Sequence, residues 1–217
     1  MYCLELAGDE DTFAAAEAAT AASAVEVVAG GVATARGIDR DGVRRLAYTH
    51  AASDLIAKTK VDIESAGAAL RAAGIDREGS VAVRARDVRS ATGVSTQAAE
   101  RQLGGILVDR GFTVDLDDPD HELRALFAGG GDRDGDAVET GVGDGYCLLG
   151  WLTVESRRDY GERRPTDRPF VQPGSMNPLD ARALVNIAGA EPGATVVDPM
   201  CGTGGLLLEA GLVGSDV

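Results

Sequence analysis

The feature that most constrains the fold of this chain is a glycine-rich turn at residues 198–205, Asp-Pro-Met-Cys-Gly-Thr-Gly-Gly. The apolar run before it, residues 194–197, is typical of a strand, and the apolar run after it, residues 206–210, is typical of a helix. Gly202 and Gly204 supply the backbone freedom that so tight a turn requires. A strand, a glycine turn and a helix in this order predict the first unit of a Rossmann-like α/β domain.

The acidic residue that opens this turn indicates which nucleotide such a domain would bind. Dinucleotide-binding turns follow the spacing G-x-G-x-x-G and bind a pyrophosphate, beside which the carboxylate of Asp198 would be unfavourable. That spacing is absent, because Gly205 follows the second glycine and position 207 is leucine, and no lysine follows to make a phosphate-binding P-loop. A carboxylate at a strand end can instead bind the ammonium of a methionine group, whose carboxylate suits the helix N-terminus. The turn therefore predicts an S-adenosylmethionine site.

The charge of the chain indicates its solvent more than its partner. The formal net charge is −14, and Lys58 and Lys60 are the two lysines among 21 basic residues. Acid-rich, lysine-poor surfaces suit proteins that work in concentrated salt, where screening removes most self-repulsion. We therefore expect a halophilic source. A negative surface is also unusual for a protein that binds duplex nucleic acid.

Other simple patterns exclude several kinds of site and location. The three cysteines, at positions 3, 147 and 201, form neither a zinc pattern nor a disulfide framework, so we expect no metal. No run of 18 apolar residues predicts a transmembrane helix, and the N-terminus lacks the order of a signal peptide. We therefore expect no membrane partner and a cytoplasmic location.

Residues before the turn predict an α+β arrangement of alternating strands and helices. In the first part we expect strands at 1–7, 25–28, 32–35 and 45–49, and helices at 9–23, 51–58 and 63–73. In the second part we expect strands at 81–86, 113–116, 122–127 and 146–154, a helix from an N-cap at Ser95 through Asp109, a Gly- and Asp-rich loop at 129–145, and a helix from Asn177 or Pro178 through Ala188.

Three features in fixed order resemble the archaeal tRNA guanine-N2-methyltransferases, in which a THUMP domain precedes a Rossmann-like methyltransferase domain. They are the α+β region ending in the strand–helix run 81–107, the segment 168–176 (Arg-Pro-Phe-Val-Gln-Pro-Gly-Ser-Met) before a helix, and the turn 198–205. The enzymes that act on guanine at position 10 of tRNA match best. The resemblance implies a ferredoxin-like segment at 1–75, a THUMP RNA-binding domain at 76–155, a linker at 156–169 and, at 170–217, the beginning of the α/β Rossmann-like methyltransferase domain.

The resemblance also implies which residues bind S-adenosylmethionine. In these enzymes the segment 173–176 closes over the cofactor, so that Ser175 could donate a hydrogen bond to its carboxylate and Phe170 could supply an apolar wall. Cys201 is then a small turn residue and not a nucleophile. The alternatives are a rigid entry turn at 173–176 and a corner at 198–205 that needs glycine only for packing. The expected cofactor-binding residues are Asp198, Pro199, Cys201, Gly202, Thr203, Gly204, Ser175 and Phe170.

No catalytic residue can be carried over from this family. Its Asp/Asn-Pro-Pro-Tyr segment, which orients the amine to be methylated, does not occur in the sequence, and we expect it beyond Val217. We therefore expect these 217 residues to be the N-terminal portion of an enzyme and to be inactive alone. The rivals are a methyltransferase acting on another tRNA position and a non-catalytic RNA-binding module. A THUMP-containing thiouridine synthetase is disfavoured because its Ser-Gly-Gly-x-Asp-Ser motif is absent.

Two arginine-rich stretches are candidate contacts for the tRNA that the family binds. Arg84, Arg86 and Arg89 cluster at the end of the strand predicted at 81–86, and the linker 156–168 carries five arginines. The planar guanidinium pairs well with phosphate oxygens, so arginine suits such contacts in concentrated salt. The alternative is that these side chains pair with the abundant surface acids.

Overall fold

The computed structural model describes residues 1–129, 145–168 and 172–217. Its strands are β1 (Tyr2–Leu6), β2 (Ala22–Ser23), β3 (Glu26–Ala29), β4 (Val32–Ala35), β5 (Gly37–Ile38), β6 (Thr49–Lys60), β7 (Ser80–Asp87), β8 (Thr113–Val114), β9 (His121–Gly129) and β10 (Gly145–Glu155). Its helices are α1 (Asp11–Ala18), α2 (Arg40–Arg45), α3 (Ile63–Ala72), α4 (Thr96–Val108), α5 (Pro178–Ile187) and α6 (Gly205–Val213), with 3-10 turns at Val88–Ser90, Tyr160–Arg163 and Pro165–Asp167.

One mixed sheet of eight strands organises most of the described chain, in the order β3-β4-β1-β6-β10-β9-β7-β8. Neighbours pair antiparallel from β3 to β9, whereas β7 pairs parallel with both β9 and β8. Strand β6 lies between β1 and β10, so the sheet continues without a break across the domain boundary predicted at residue 75. The division of the chain into a ferredoxin-like segment and a THUMP domain stays a prediction.

Most of the predicted elements are confirmed, because their local signals are strong. Helix α4 begins after Ser95, whose side chain accepts a hydrogen bond from the Ala98 N–H, and it is followed by Gly111 at φ 98°. Helix α5 begins after Asn177, which accepts a hydrogen bond from the Leu179 N–H. The predicted strands at 25–28, 32–35, 81–86, 122–127 and 146–154 and the helix at 63–73 are also present, with shifts of a few residues at their ends.

The predicted helix at 51–58 is wrong, and so is the predicted strand at 45–49. The alanine-rich segment belongs to the twelve-residue strand β6, which begins at Thr49, and Arg45 is the last residue of helix α2, with residues 46–48 connecting the two. Alanine favours helix locally, but pairing with β1 on one side and β10 on the other satisfies the backbone of β6 along its length. The helix predicted at 9–23 also ends early, at Ala18, because residues 22–23 pair with β5.

Helices α3 and α4 cover the part of the sheet formed by β6, β7, β9 and β10. Leu70, Leu103 and Leu107 from the two helices pack against Leu123 and Phe127, and all five side chains are fully buried. Burial of one such leucine stabilises the fold by about 1.5–3 kcal/mol. A second cluster, around Leu4, Ala14, Ala18, Ala33 and Val43, packs α1 and α2 against the N-terminal strands.

The C-terminal segment forms a small β–α–β connection around α6. Thr195 and Asp216 make a parallel bridge, with Val196 N–H donating to Asp216 O and Asp216 N–H donating to Ala194 O, each over 2.8 Å. This crossover is the connection that the Rossmann-like prediction requires. The strand predicted at 194–197 is wrong in extent, because only this one bridge pairs it within the described residues and Val197 is 79% exposed.

The predicted polar linker at 156–168 contains the two 3-10 turns at Tyr160–Arg163 and Pro165–Asp167. Nearly all of the loop predicted at 129–145, residues 130–144, lies outside the described residues, as does Phe170. Within the described ranges, no helix has both the length and the apolar character needed to cross a membrane.

Candidate cofactor site

The glycine turn is closed by hydrogen bonds within itself. Asp198 Oδ1 accepts a hydrogen bond from Met200 N–H at 2.9 Å, and Gly204 N–H donates to Cys201 O at 2.7 Å. Gly202 and Gly204 have φ values of 53° and 74°, in the left-handed region. A Cβ added at either position would meet no atom within 4 Å, so conformation and not space requires glycine here.

Helix α6 begins directly at this turn with an uncapped N-terminus. Gly204 is the N-cap residue, and no side chain of the described residues caps the first turn of the helix. The first intrahelical bond runs from Leu208 N–H to Gly204 O, at 2.9 Å. The preceding N–H groups at residues 205–207 therefore lack intrahelical partners, and together with the helix dipole they can bind a small anion such as a carboxylate.

The second predicted segment contacts the turn through Ser175. Ser175 Oγ lies 3.2 Å from Thr203 Oγ1, although the two residues are 28 positions apart. The same hydroxyl also contacts Gln172 O at 2.8 Å, and Gly174 adopts a positive φ of 86° in the turn between them. The structure therefore brings Ser175 and the glycine turn together, whereas Phe170 lies outside the described residues.

The remaining predicted residues of the turn are accessible. Pro199 and Cys201 are exposed, and Met200 between them is 89% exposed. The Cys201 thiol contacts Gly202 O at 4.0 Å, and within the described part of the chain no histidine, lysine or carboxylate hydrogen-bonds to it. That environment suits a small turn residue better than an activated nucleophile. The described residues also contain no group of three or more His, Cys, Asp or Glu side chains that could hold a metal ion.

Glu209, which the sequence analysis missed, anchors the helix that follows the turn. This fully buried carboxylate accepts a two-pronged contact from Arg163, with Nε–Oε1 at 2.6 Å and Nη2–Oε2 at 3.1 Å. Arg182 of α5 approaches Oε2 at 2.8 Å, and Arg163 also pairs with Asp159. A buried charge is stable only when it is paired and hydrogen-bonded, so this cluster fixes α6 to the linker and to α5. A lone acid in the run Leu-Leu-Leu-Glu-Ala was the available signal.

Glu17 forms a second buried junction, between α1 and α5. Its carboxylate accepts hydrogen bonds from Ala47 N–H at 2.7 Å, Tyr48 N–H at 2.6 Å and the Asn186 side-chain amide at 2.7 Å. Burial raises the pKa of Glu17 above its ordinary value, against the lowering effect of these donors and of Arg182. Helix α5 is therefore bound to the N-terminal part of the molecule by polar contacts that are removed from water.

The three arginines predicted to contact RNA all have protein partners. Arg84 donates to Leu116 O at 2.6 Å, Arg86 pairs with Glu5, and Arg89 pairs with Asp11 at 2.6 Å. Pairing with acids was the alternative left open by the sequence. The side chains of Arg84, Arg86 and Arg89 keep 42%, 51% and 30% of their surface exposed, so their contact with RNA stays a prediction.

Comparison with known proteins agrees with this geometry. Residues 165–217 match the family model of an RMKL-like methyltransferase domain. The chain is 36% identical over 173 residues to a tRNA (guanine(10)-N2)-dimethyltransferase of Methanothermobacter thermautotrophicus, which covers 79% of this chain and 46% of that protein. It is 33% identical over 117 residues to the protein of the same name from Methanocaldococcus jannaschii, over 54% of this chain and 29% of that protein.

The fold is shared with a solved structure. TrmN from Thermus thermophilus superposes with a TM-score of 0.56 at 24% identity, over 97% of this chain and 61% of that chain. The chain spans less than half the length of the curated relatives described above. Over that span, the chain is similar to the archaeal proteins named tRNA (guanine(10)-N2)-dimethyltransferase, and its residues 165–217 match the model of an RMKL-like methyltransferase domain.

Proposed function

We propose that this chain is part of an S-adenosylmethionine-dependent methyltransferase that modifies the exocyclic amine of guanine 10 in tRNA. The observation that carries the proposal is the pairing of the glycine turn with Ser175 in front of the uncapped helix α6. The names of the homologous proteins supply the tRNA substrate and the position. The rivals are the same chemistry at another tRNA position and an RNA-binding module without a cofactor.

The residues of the turn fit a methionine group by charge. The N–H groups at the start of α6 would bind the carboxylate, and the Ser175 hydroxyl, which donates to Gln172 O here, would donate to the carboxylate by exchanging that bond. Asp198 uses Oδ1 for the Met200 N–H, and among the described residues no group hydrogen-bonds to its other oxygen, which would accept from the ammonium. The two glycines would let the backbone approach the cofactor closely.

This arrangement would act mainly by alignment. S-adenosylmethionine, once bound, supplies a methyl group that is already activated by the sulfonium. The protein then needs to hold the amine in line with the methyl carbon, which converts an encounter into an intramolecular step. Reaching the exocyclic amine also requires the guanine to leave its stack. The turn and Ser175 contribute to this by fixing the position of the methyl donor.

We further propose that residues 1–75 form a ferredoxin-like segment, 76–155 a THUMP domain, 156–169 a linker and 170–217 part of the methyltransferase domain. In this arrangement the N-terminal part binds tRNA, with Arg84, Arg86 and Arg89 as candidate phosphate contacts. The buried contacts of Glu17 and Glu209 support the idea, because they hold α5 and α6 at a fixed position relative to the sheet. An RNA bound to the sheet region would then meet the cofactor turn at a fixed distance.

Cofactor binding by the glycine turn is tested with Gly204→Val. Because Gly204 has φ 74° in open space, a β-branched residue there would distort the turn without filling a cavity. We expect titration calorimetry to show S-adenosylmethionine affinity lower by about tenfold or more, about 1.4 kcal/mol. The matched control is Gly111→Val, which has φ 98° and open surroundings far along the chain and should leave the affinity unchanged.

Two results would contradict the proposal. Equal S-adenosylmethionine affinity in the parent chain and the Gly204 variant, with circular dichroism showing both folded, would remove the turn as the cofactor site. An equal loss of affinity in the Gly111 variant would assign the effect to general destabilisation. A parent chain that binds tRNA but takes up no S-adenosylmethionine would support the RNA-binding module instead.

A further inference from the structure

A cleft of about 550 Å³ lies between the linker and the start of α5. A cleft of this volume can accommodate a nucleotide-sized group. Among the described residues no carboxylate lines it, although the whole chain carries a net charge of −14. The residues that matter here are Arg158, Tyr160, Arg164, Ser175 and Asn177.

The five linker arginines divide into two groups by their partners. Arg163 is neutralised by Glu209 and Asp159, and Arg157 pairs with Asp159 at 2.6 Å. Arg168 donates to Arg163 O through Nε and Nη2, at 3.2 and 3.1 Å. Arg157 and Arg163 are thus paired with acids, whereas Arg168 is held by a backbone carbonyl, and none of the three lines the cleft.

Arg158 and Arg164 form the second group, and both line the cleft. Arg158 donates to Ala47 O and lies over the Tyr160 ring, with its guanidinium carbon 5.4 Å from the centroid, but it pairs with no acid of the described chain. The exposed side chain of Arg164 has neither a hydrogen bond nor an ion pair to any described residue. The cleft therefore carries two uncompensated positive charges.

A second cleft, lined by other residues of the linker, differs from the first in its charged groups. Its volume is about 630 Å³, and Arg157 lines it together with four other arginines. Glu155, Asp159 and Glu162 line it as well, and Arg157 is already paired with one of them. Three carboxylates thus line that cleft and pair with part of its arginines, whereas no described carboxylate lines the cleft of Arg158 and Arg164.

The first cleft also touches the candidate cofactor turn. Ser175 lines the cleft, and its hydroxyl lies 3.2 Å from Thr203 of the turn. An anion bound by Arg158 and Arg164 would thus lie next to the segment proposed to hold the methyl donor. This position therefore suits a polyanion that must approach the methyl donor.

We infer that the cleft binds a phosphodiester of the RNA substrate through Arg164 and Arg158, beside the glycine turn. The inference rests on the proposed function, since it takes RNA as the substrate. The planar fork of arginine pairs with two phosphate oxygens, which suits the unpaired guanidinium of Arg164. Arg158 adds charge while it keeps its contact with Ala47 O.

The test uses the 217-residue chain, a fluorescently labelled tRNA transcript with guanine at position 10, and a potassium chloride series. We expect Arg164→Ala to weaken binding by about three- to tenfold and to reduce the slope of log affinity against log salt by about 0.7–0.9, the value for one lost phosphate contact. Arg164→Lys keeps the charge and should recover part of the affinity. Arg157→Ala, on the same linker but facing the other cleft, is the matched control and should change neither quantity.

Calorimetry with S-adenosylmethionine on the same variants separates the cleft from the cofactor site. Unchanged cofactor affinity in Arg164→Ala, with weaker tRNA binding, supports the inference. Equal tRNA binding by the parent and this variant, an equal loss in Arg157→Ala, or a loss of cofactor affinity instead, would overturn it.

The parent chain separates this inference from the proposed function. A parent chain that binds the cofactor but no tRNA overturns the inference and does not affect the cofactor site. Arginine-dependent tRNA binding without cofactor binding refutes the proposed function and leaves the cleft standing.

Discussion

The sheet region and the C-terminal helices are held together by different interactions. In the sheet region a large apolar cluster joins α3, α4 and the strands, and Leu103, Leu107 and Phe127 are fully buried in it. The cluster between α5 and α6 has only four buried members among the described residues, Val185, Ala190, Ala210 and Val213. There the buried Glu209 binds Arg163 and Arg182, and Glu17 binds Asn186.

This difference shows how a small segment can be fixed to a larger one. The few apolar residues buried between α5 and α6 do not by themselves set an orientation, because hydrophobic burial is non-directional. Buried charge-assisted hydrogen bonds have strict geometry, and leaving one partner unpaired is costly. Such contacts place α6, and with it the cofactor turn, at one orientation relative to the sheet. We expect the C-terminal segment to depend on charge pairing and the sheet region on apolar burial.

The largest expected effect tests the buried pair directly. Glu209→Ala leaves the buried Arg182 without its acid partner and Arg163 with Asp159 alone, so we expect a loss of about 3–5 kcal/mol in the free energy of unfolding. Chemical denaturation followed by circular dichroism measures this loss. Glu162→Ala removes an exposed acid from the same linker and should stay within about 0.5 kcal/mol. If both variants lost the same stability, the comparison between the two regions would fail.

An intermediate effect concerns His50 of β6, where the backbone O of the histidine accepts a hydrogen bond from the Ser156 N–H of the linker at 2.9 Å. Burial, with the positive charges of Arg158, Arg86 and Arg124, lowers the pKa of His50 to about 4, while Glu155 acts in the opposite direction. The unfolded chain therefore binds a proton more tightly than the folded one between about pH 6.5 and 4, and stability falls as the pH drops through that window. His50→Gln should flatten this fall.

The measurement for His50 is the thermal midpoint at several pH values between 7 and 4. The control is His121→Gln. His121 is the other histidine of the chain, and it contacts Glu78 O at 3.1 Å in the sheet region, away from the linker. An unchanged pH profile for the His50 variant would show that its protonation is not linked to folding. A profile flattened equally by the His121 variant would show that His50 has no special role.

The smallest expected effect belongs to an exposed ion pair of the N-terminal region. Arg44 and Asp41 pair at 2.5 Å on α2, but their side chains are 59% and 78% exposed. Solvent screens such pairs, so Arg44→Ala should change the free energy of unfolding by at most about 0.5 kcal/mol. Urea denaturation at low and high salt measures this. A loss of the size expected for Glu209 would remove the distinction between exposed and buried pairs.

Local signals predicted much of the fold and the backbone of the glycine turn, whereas the cofactor-binding roles of its residues stay predictions. The caps Ser95 and Asn177 set the starts of α4 and α5, and Gly202 and Gly204 set the turn, because each acts within a few residues along the chain. The contact of Ser175 with Thr203 agrees with the expectation that the two segments meet. The RNA contacts of Arg84, Arg86 and Arg89 and the domain boundaries stay predictions.

Long-range pairing produced the errors. Residues 51–58 carry a helical composition, and only their two neighbouring strands make them part of β6. Glu209 looked like one acid in an apolar helix, and its role depends on Arg163, 46 residues away. The pairing of Arg86 with Glu5 likewise joins residues 81 positions apart. Sequence periodicity contains no information on such partners.

The sequence by itself determined the glycine turn, the caps and most of the helical and strand segments, because these depend on the conformational preferences of adjacent residues. The tertiary structure alone decided the place of β6 in the sheet, the burial of Glu17 and Glu209, and the division of the linker arginines between structural pairs and the open cleft. The physical reason is that backbone pairing and the desolvation of charge depend on which distant groups meet. The partner of each such group is fixed only when the whole chain packs.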